Sequence, residues 1–374
     1  MKRPSRIALV LLGLLVCHGV ARAAEVYKSA AGPYAVETAL YDWVDDTRHR
    51  TVPVKVYFPK TGDGPLPVII FSHGLGGSRE GYAYLGRHWA GHGYVSVHLQ
   101  HKGSDREVWG GQGGPTQSMR ESVANLDNAI NRPRDVSFAV DRLSAMNGET
   151  GPLKGRLDLG RLGMAGHSFG AWTTMAVAGQ SFAGGRVAIG DSRFKAAIPM
   201  SASPPPRRNR LDAVYAGVGI PCFHMTGTLD ASPLNDLAPK DRRVPFDHIR
   251  GADQYLVTFA GGDHMVFSGR GSRPGEAGGG ADGSPATGAG PSDAQALRDA
   301  FQREGRTDLG WVSGDRAKDP RFHDLIRQGT TAFWDAYLKG DSAAMKWLAE
   351  GGFEAALGAD GVFEKKLKGS PAAK

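Results

Sequence analysis

Leu162-Gly163-Met164-Ala165-Gly166-His167-Ser168-Phe169-Gly170-Ala171-Trp172 is the stretch on which the reading of the whole chain turns. The apolar run Leu162–Ala165 reads as a strand and Ala171–Ala178 as a helix. Gly166-His167-Ser168-Phe169-Gly170 lies between them, which is G-x-S-x-G in a strand–turn–helix setting. Such a turn presses backbone against backbone, and a glycine on each side of the Ser leaves room for that approach. The Ser168 hydroxyl is then presented at the head of a helix, where amide N–H groups favour developing negative charge. With 53 glycines in 374 residues the pentapeptide could arise by chance. Its flanking elements make Ser168 a nucleophile rather than a residue of a fortuitous turn.

Working outward, short β-branched runs bounded by turn residues read as strands at Val52–Phe58, Leu66–Phe71 and Tyr94–Leu99, and again at Phe194–Ile198, Pro221–Met225 and Tyr255–Phe259. Helical patterns occupy roughly 81–90, 118–146 and 322–338. Pro133 interrupts the second of these, which is expected to be kinked or to be two helices. Strands alternating with helices predict a mostly parallel sheet covered on both faces. Tyr34–Trp43 and Val52–Phe58 have no helix between them and read as an antiparallel hairpin entering the sheet.

A nucleophilic hydroxyl needs a base, and the base an orienting carboxylate. In this strand–turn–helix context the chain order is Ser, then Asp or Glu, then His. After Ser168 come His224, His248, His264 and His323. His264, in Gly261-Gly262-Asp263-His264-Met265, follows the strand Tyr255–Phe259, and the C-terminal end of a strand is where such sites assemble. His224 lies within a strand, His248 before one and His323 in a helix. Asp230, in Gly227-Thr228-Leu229-Asp230, follows the strand Pro221–Met225. Asp263 is too near His264 in the chain to orient it easily, and Asp191 precedes its strand. Ser168, Asp230 and His264 are therefore the expected catalytic residues. The loop Ser72-His73-Gly74-Leu75-Gly76-Gly77 follows an early strand and matches no phosphate-binding pattern. The backbone N–H groups of Leu75 and Phe169 are the expected oxyanion donors.

Other clusters carry less. His88 and His92 have a metal-site spacing but lack the Glu of H-E-x-x-H, so a helix end is expected and no metal. His98–Asp105 is a polar loop read either as a pocket wall or as a solvated loop, and Trp109 and Trp172 read as packing residues or pocket lining.

Composition bounds the rest. A chain with 41% hydrophobic and 22% charged residues is an ordinary globular protein, neither disordered nor a multi-span membrane protein. Lys2, Arg3 and Arg6 precede the apolar run Ile7–Cys17, and Ala21-Arg22-Ala23 follows, as in an export leader. Loss of residues 1–23 would lower the net charge from +7 to +3. That removes the basic signature of a nucleic-acid partner, and the apolar run is too short for stable membrane insertion. Cys222 is then the remaining cysteine and reads as a buried thiol. Residues 24–374 read as one domain. Ser268–Ser292 is dominated by Gly, Ala, Ser and Pro and is expected to be a loop inserted into it.

With these residues in view, the chain resembles the α/β-hydrolase superfamily, and within it the bacterial dienelactone-hydrolase-like esterases and the platelet-activating-factor-acetylhydrolase-like serine esterases. The resemblance is carried by His73-Gly74-Leu75-Gly76-Gly77, Gln100–Asp105, Arg132-Pro133-Arg134-Asp135-Val136, the elbow at Ser168, Thr226–Asp230 and Gly261–His264. It implies an α/β-hydrolase fold and a cofactor-free serine carboxylesterase, with Ser168 as nucleophile, Asp230 as acid and His264 as base. Dienelactone hydrolases carry Cys at the elbow, where this chain has Ser168, so their substrate does not transfer. The expectation is a secreted or periplasmic enzyme acting on small, short-chain esters. A peptidase or amidase with the same three residues, and a non-catalytic binding module on this fold, remain as rival readings.

Overall fold

The computed structural model describes residues 27–62, 64–110, 114–182, 187–232, 234–269 and 312–368. The leader reading of residues 1–23 and the Gly-rich segment beyond Gly269 lie outside them. Nine strands form one sheet: β1 Val36–Asp45, β2 Arg50–Pro59, β3 Leu66–Ser72, β4 Val95–Leu99, β5 Leu157–His167, β6 Phe194–Met200, β7 Cys222–Leu229, β8 Gln254–Asp263 and β9 Gly361–Lys366. Their spatial order is β1-β2-β4-β3-β5-β6-β7-β8-β9. From β4 through β8 every neighbour is parallel, whereas β1, β2 and β9 join by antiparallel pairing at the two ends. This is the expected mostly parallel α/β sheet with its N-terminal hairpin.

Both faces of the sheet are covered. In β3, Val68 and Ile70 pack into one cluster with Val54, Val97, Val140 and Leu143. Ile69 and Phe71 pack into the other, with Trp89, Phe259 and Trp334. Successive residues thus point to opposite faces, as the pleat requires, and both faces are apolar, as in buried parallel sheets. The first cluster is covered by α3 (Leu126–Gly148), which follows α2 (Pro115–Ala124). The second is covered by α1 (Ala83–Gly91) and α5 (Asp319–Leu338). Between α3 and α5 in the chain lies α4 (Phe169–Ala178), directly after β5.

The region around Pro133 differs in detail from its sequence reading. The break falls at Asn125, whose side chain accepts the Asp127 N–H and caps α3, and Pro133 sits inside that helix. An Asn at that position satisfies an orphan donor and so defines a helix start more strongly than the later proline defines a stop. The C-terminal strand β9 was not legible, because Gly361-Val362-Phe363-Glu364-Lys365-Lys366 is short and half charged.

Candidate active site

The four site segments leave the C-terminal ends of parallel strands: Ser168 after β5, Asp230 after β7, His264 after β8 and the Leu75 loop after β3. At the elbow Ser168 adopts φ 56° and ψ −114°, a left-handed conformation for a residue with a side chain. Such geometry costs about 1–3 kcal/mol and persists only where its surroundings hold it. They do so here: Ser168 N–H donates to the Met200 carbonyl at 2.9 Å, and Trp172 N–H donates to the Ser168 carbonyl at 3.1 Å. The flanking glycines are sterically required. A Cβ at Gly170 would lie 1.8 Å from the Ser72 oxygen, and one at Gly166 would lie 2.4 Å from the Gly170 oxygen.

Ser168 Oγ is 2.9 Å from His264 Nε2, and His264 Nδ1 is 2.7 Å from Asp230 Oδ1. The three expected residues are thus brought into one hydrogen-bonded line, with Asp230 and His264 buried and Ser168 half-buried. The other Asp230 oxygen accepts from Thr226 Oγ1 at 2.8 Å. Asp263 is occupied elsewhere, accepting the backbone N–H groups of Met265 and Gly314. His224 is buried in β7 against Gln254, His323 is buried on α5 against the Val266 carbonyl, and His248 pairs with Asp212.

Leu75 and Phe169 are half-buried, and Phe169 opens α4, so its N–H precedes the intrahelical ladder. Leu75 packs against a cluster of Val108, Met119 and Met265, against which Trp109, Leu234 and Val312 also pack. Trp109 lies over Gly76 and donates Nε1–H to its carbonyl at 2.9 Å. Trp172 packs against Phe169 and Phe182 instead.

Two features escaped the sequence reading. Arg242 is buried with its Nε 3.3 Å from Asp230 Oδ1 and a terminal nitrogen 3.2 Å from His264 Nδ1. It also donates to the carbonyls of Asp230 and Ser201 and to Ser203 Oγ. Burial would push the Asp230 carboxyl up, but Arg242 and the His264 hydrogen bond outweigh it, so the group is held below its ordinary range and ionised. In the sequence Arg242 sits in Lys240-Asp241-Arg242-Arg243, which looks like any solvated charge run. The second feature is His167. Its Nε2 donates to the His264 carbonyl at 2.8 Å, and its Nδ1 accepts from Tyr82 Oη, also at 2.8 Å. Tyr82 Oη in turn accepts the Gly74 N–H, so the elbow is tied to both neighbouring loops. The stretch 98–105, read as a pocket wall or a solvated loop, begins in β4 and continues into the loop after it. The solvated reading fails for His98, His101, Ser104 and Asp105, all buried, and holds for Lys102 and Gly103.

His88 lies on α1 and His92 caps it, and no group of His, Cys, Asp or Glu able to hold a metal occurs among the described residues. Cys222 is buried, and burial pushes its thiol up to about 12. No helix among the described residues is long and apolar enough to cross a membrane.

The strand order, the strained serine elbow and the strand-end loops are those of the α/β-hydrolase fold. Within that class the chain is similar to the platelet-activating factor acetylhydrolases. A family model described as platelet-activating factor acetylhydrolase, isoform II, matches residues 43–108, a stretch that contains Leu75 but stops short of Ser168. The platelet-activating factor acetylhydrolase of Cavia porcellus is 27% identical over 33% of this chain and 34% of its own length. Those of Bos taurus and Canis lupus familiaris are each 22% identical over 56% of this chain and 49% of theirs. The matches thus take in between a third and a half of these relatives.

Proposed function

We propose that the protein is a serine esterase that cleaves short acyl esters, acetyl foremost, through an acyl-enzyme. The observation that carries this reading is the hydrogen-bonded line from Ser168 through His264 to a buried, ionised Asp230. In the proposed cycle Ser168 Oγ attacks the ester carbonyl while His264 Nε2 takes its proton. Asp230 accepts from His264 Nδ1, which fixes the tautomer with Nε2 as the base and stabilises the imidazolium. The N–H groups of Leu75 and Phe169 meet the tetrahedral oxyanion, where one donor is worth ~10²–10³ in rate. His264 then protonates the leaving alcohol, and water repeats the sequence on the acyl-enzyme. Acetyl is favoured because the similar proteins are named for removing that group. The basic, apolar and small-residue segments of residues 1–23 support export, which N-terminal sequencing of protein recovered outside the cytoplasm would test.

The deciding experiment pairs p-nitrophenyl acetate with p-nitroacetanilide. The wild type is expected to turn over the ester, leave the anilide, and take one fluorophosphonate label at Ser168. Ser168→Ala should lose label and turnover while melting normally. Turnover of the anilide alone would move the assignment to an amidase, and turnover of neither to a binding module.

A further inference from the structure

The catalytic cycle gives no part to Arg132, a buried cation. Arg132, on α3, is fully buried, and its nitrogens donate to hydroxyls and a carbonyl. Nε donates to Thr173 Oγ1 at 2.9 Å and Nη1 to Ser104 Oγ at 2.8 Å. Nη2 donates to Ser72 Oγ at 3.0 Å and to the His73 carbonyl. The guanidinium also lies over the Phe169 ring, 4.5 Å from its centre.

These contacts fall on three segments. Ser72 and His73 lead directly into Leu75. Thr173 donates its hydroxyl to the Phe169 carbonyl at 3.0 Å, one turn into α4. Ser104 belongs to the loop whose carbonyl at that residue accepts the Gly76 N–H at 2.9 Å. One rigid group therefore touches the supports of both N–H groups that the esterase reading uses for the oxyanion. We infer that Arg132 is a positioning residue that sets the spacing between the Leu75 and Phe169 oxyanion donors. The inference rests on the esterase reading.

A guanidinium suits this task because its donors diverge in one plane at fixed angles, whereas an ammonium on a flexible stem offers a single point. The planar face left over stacks on Phe169. A buried relay orients its partner. Ser72 Oγ lies 2.9 Å from His101 Nε2, and His101 Nδ1 lies 3.0 Å from Asp135. Burial first, and Arg132 second, push His101 down to about 4, so it is neutral at ordinary pH. With Nδ1–H donated to Asp135, Nε2 accepts the Ser72 proton, and the Ser72 lone pairs are left for Arg132. This Ser–His–Asp line is wholly buried and meets no substrate. Asp135 is balanced by Arg48 and Arg50.

The test measures Arg132→Lys, Arg132→Met and Thr173→Val beside the wild type, with p-nitrophenyl acetate and with an acetyl trifluoromethyl ketone that becomes a tetrahedral oxyanion on Ser168. The expected result is a 10- to 100-fold fall in kcat with KM within threefold, matched by an equal loss of ketone affinity. Lys should lose less than Met, and the acid limb of the pH profile should stay in place. Should either Arg132 variant fail to fold, Thr173→Val carries the decision, with a smaller fall of about fivefold in the same two quantities. Folded variants with unchanged kcat, or with a changed KM and unchanged ketone affinity, would overturn the inference. A wild type that neither hydrolyses ester nor captures the ketone would instead overturn the esterase reading, and this inference with it.

Discussion

The charge at Arg242 bears directly on the acid–base pair. Its guanidinium is within 3.3 Å of both the Asp230 carboxylate and the His264 ring. A cation there opposes protonation of Asp230, and a protonated Asp230 would no longer accept fully from His264 Nδ1. Replacing Arg242 by Met should therefore move the acid limb of kcat/KM to higher pH by about one unit. Activity at neutral pH should fall ~10- to 100-fold, because Asp230 would lose the buried ion-pair partner that keeps it ionised. A pH–rate series on the folded variant checks both, and an unmoved acid limb would mean that Arg242 only fills space. On the esterase reading Arg242 would act on the proton pathway and Arg132 on the oxyanion donors, so only replacement of Arg242 is expected to shift the pH profile.

At the level of elements, the esterase reading raises the question whether the segment between β6 and β7 can act as a lid. It holds Pro204-Pro205-Pro206 and a five-residue helix, Leu211–Tyr215. Val214 and Tyr215 are buried against Met175, Val218, Cys222 and Ile249. The apolar residues a lid would present to a lipid surface are thus already packed into the body, while Asp212 and Ala213 face solvent. An interfacially activated lid needs a broad apolar face free to insert. The expected behaviour is a smooth rise of rate with tributyrin concentration through its solubility limit and a preference for butyryl over palmitoyl esters. A jump at the limit would show that this segment opens on lipid. The same region illustrates why His248 could not be the base: it pairs with Asp212 beside this short helix, at the opposite end of β8 from His264.

For the whole molecule, buried imidazoles are expected to set the acid limit of stability. Burial is the leading cause in each case: it holds His98 down to about 3, His101 and His224 down to about 4, and His73, His88 and His167 well below the ordinary histidine range. In the unfolded chain these rings protonate near ~6.5. Above that pH neither state gains a proton and the full stability is present. As pH falls below it, the unfolded chain binds protons that the folded chain refuses, at about 1.4 kcal/mol per ring per pH unit. Asp135 and Asp230, both held low, lose their contribution only further down, as pH passes through the carboxylate range. Against a typical total of about 5–15 kcal/mol, several rings suffice to unfold the protein. Thermal melts should show Tm steady above pH 7, falling steeply from about pH 6, with cooperative acid unfolding before pH 4. A level Tm from pH 7 to 4.5 would contradict the burial of these rings as neutral groups.

What the sequence determined by itself was local in character. Apolar runs separated by turn residues marked seven of the nine strands, and an eighth as the partner of the N-terminal hairpin. The G-x-S-x-G turn named Ser168, and the rule that site loops follow strand ends selected Asp230 and His264 from several carboxylates and four histidines. Each of these rests on neighbours within about ten positions, where periodicity and turn chemistry are legible. The supporting cations were not legible for the converse reason. Arg132 and Arg242 are charged residues in charged surroundings of sequence, and a charged residue reads as solvent-facing unless its partners are known. Those partners come from 28 to 60 positions away for Arg132 and up to 41 away for Arg242. Only the folded sheet, by stacking the ends of β3, β5, β6, β7 and β8 side by side, assembled the hydroxyls, carbonyls and carboxylate that let two guanidinium groups be buried beside the serine.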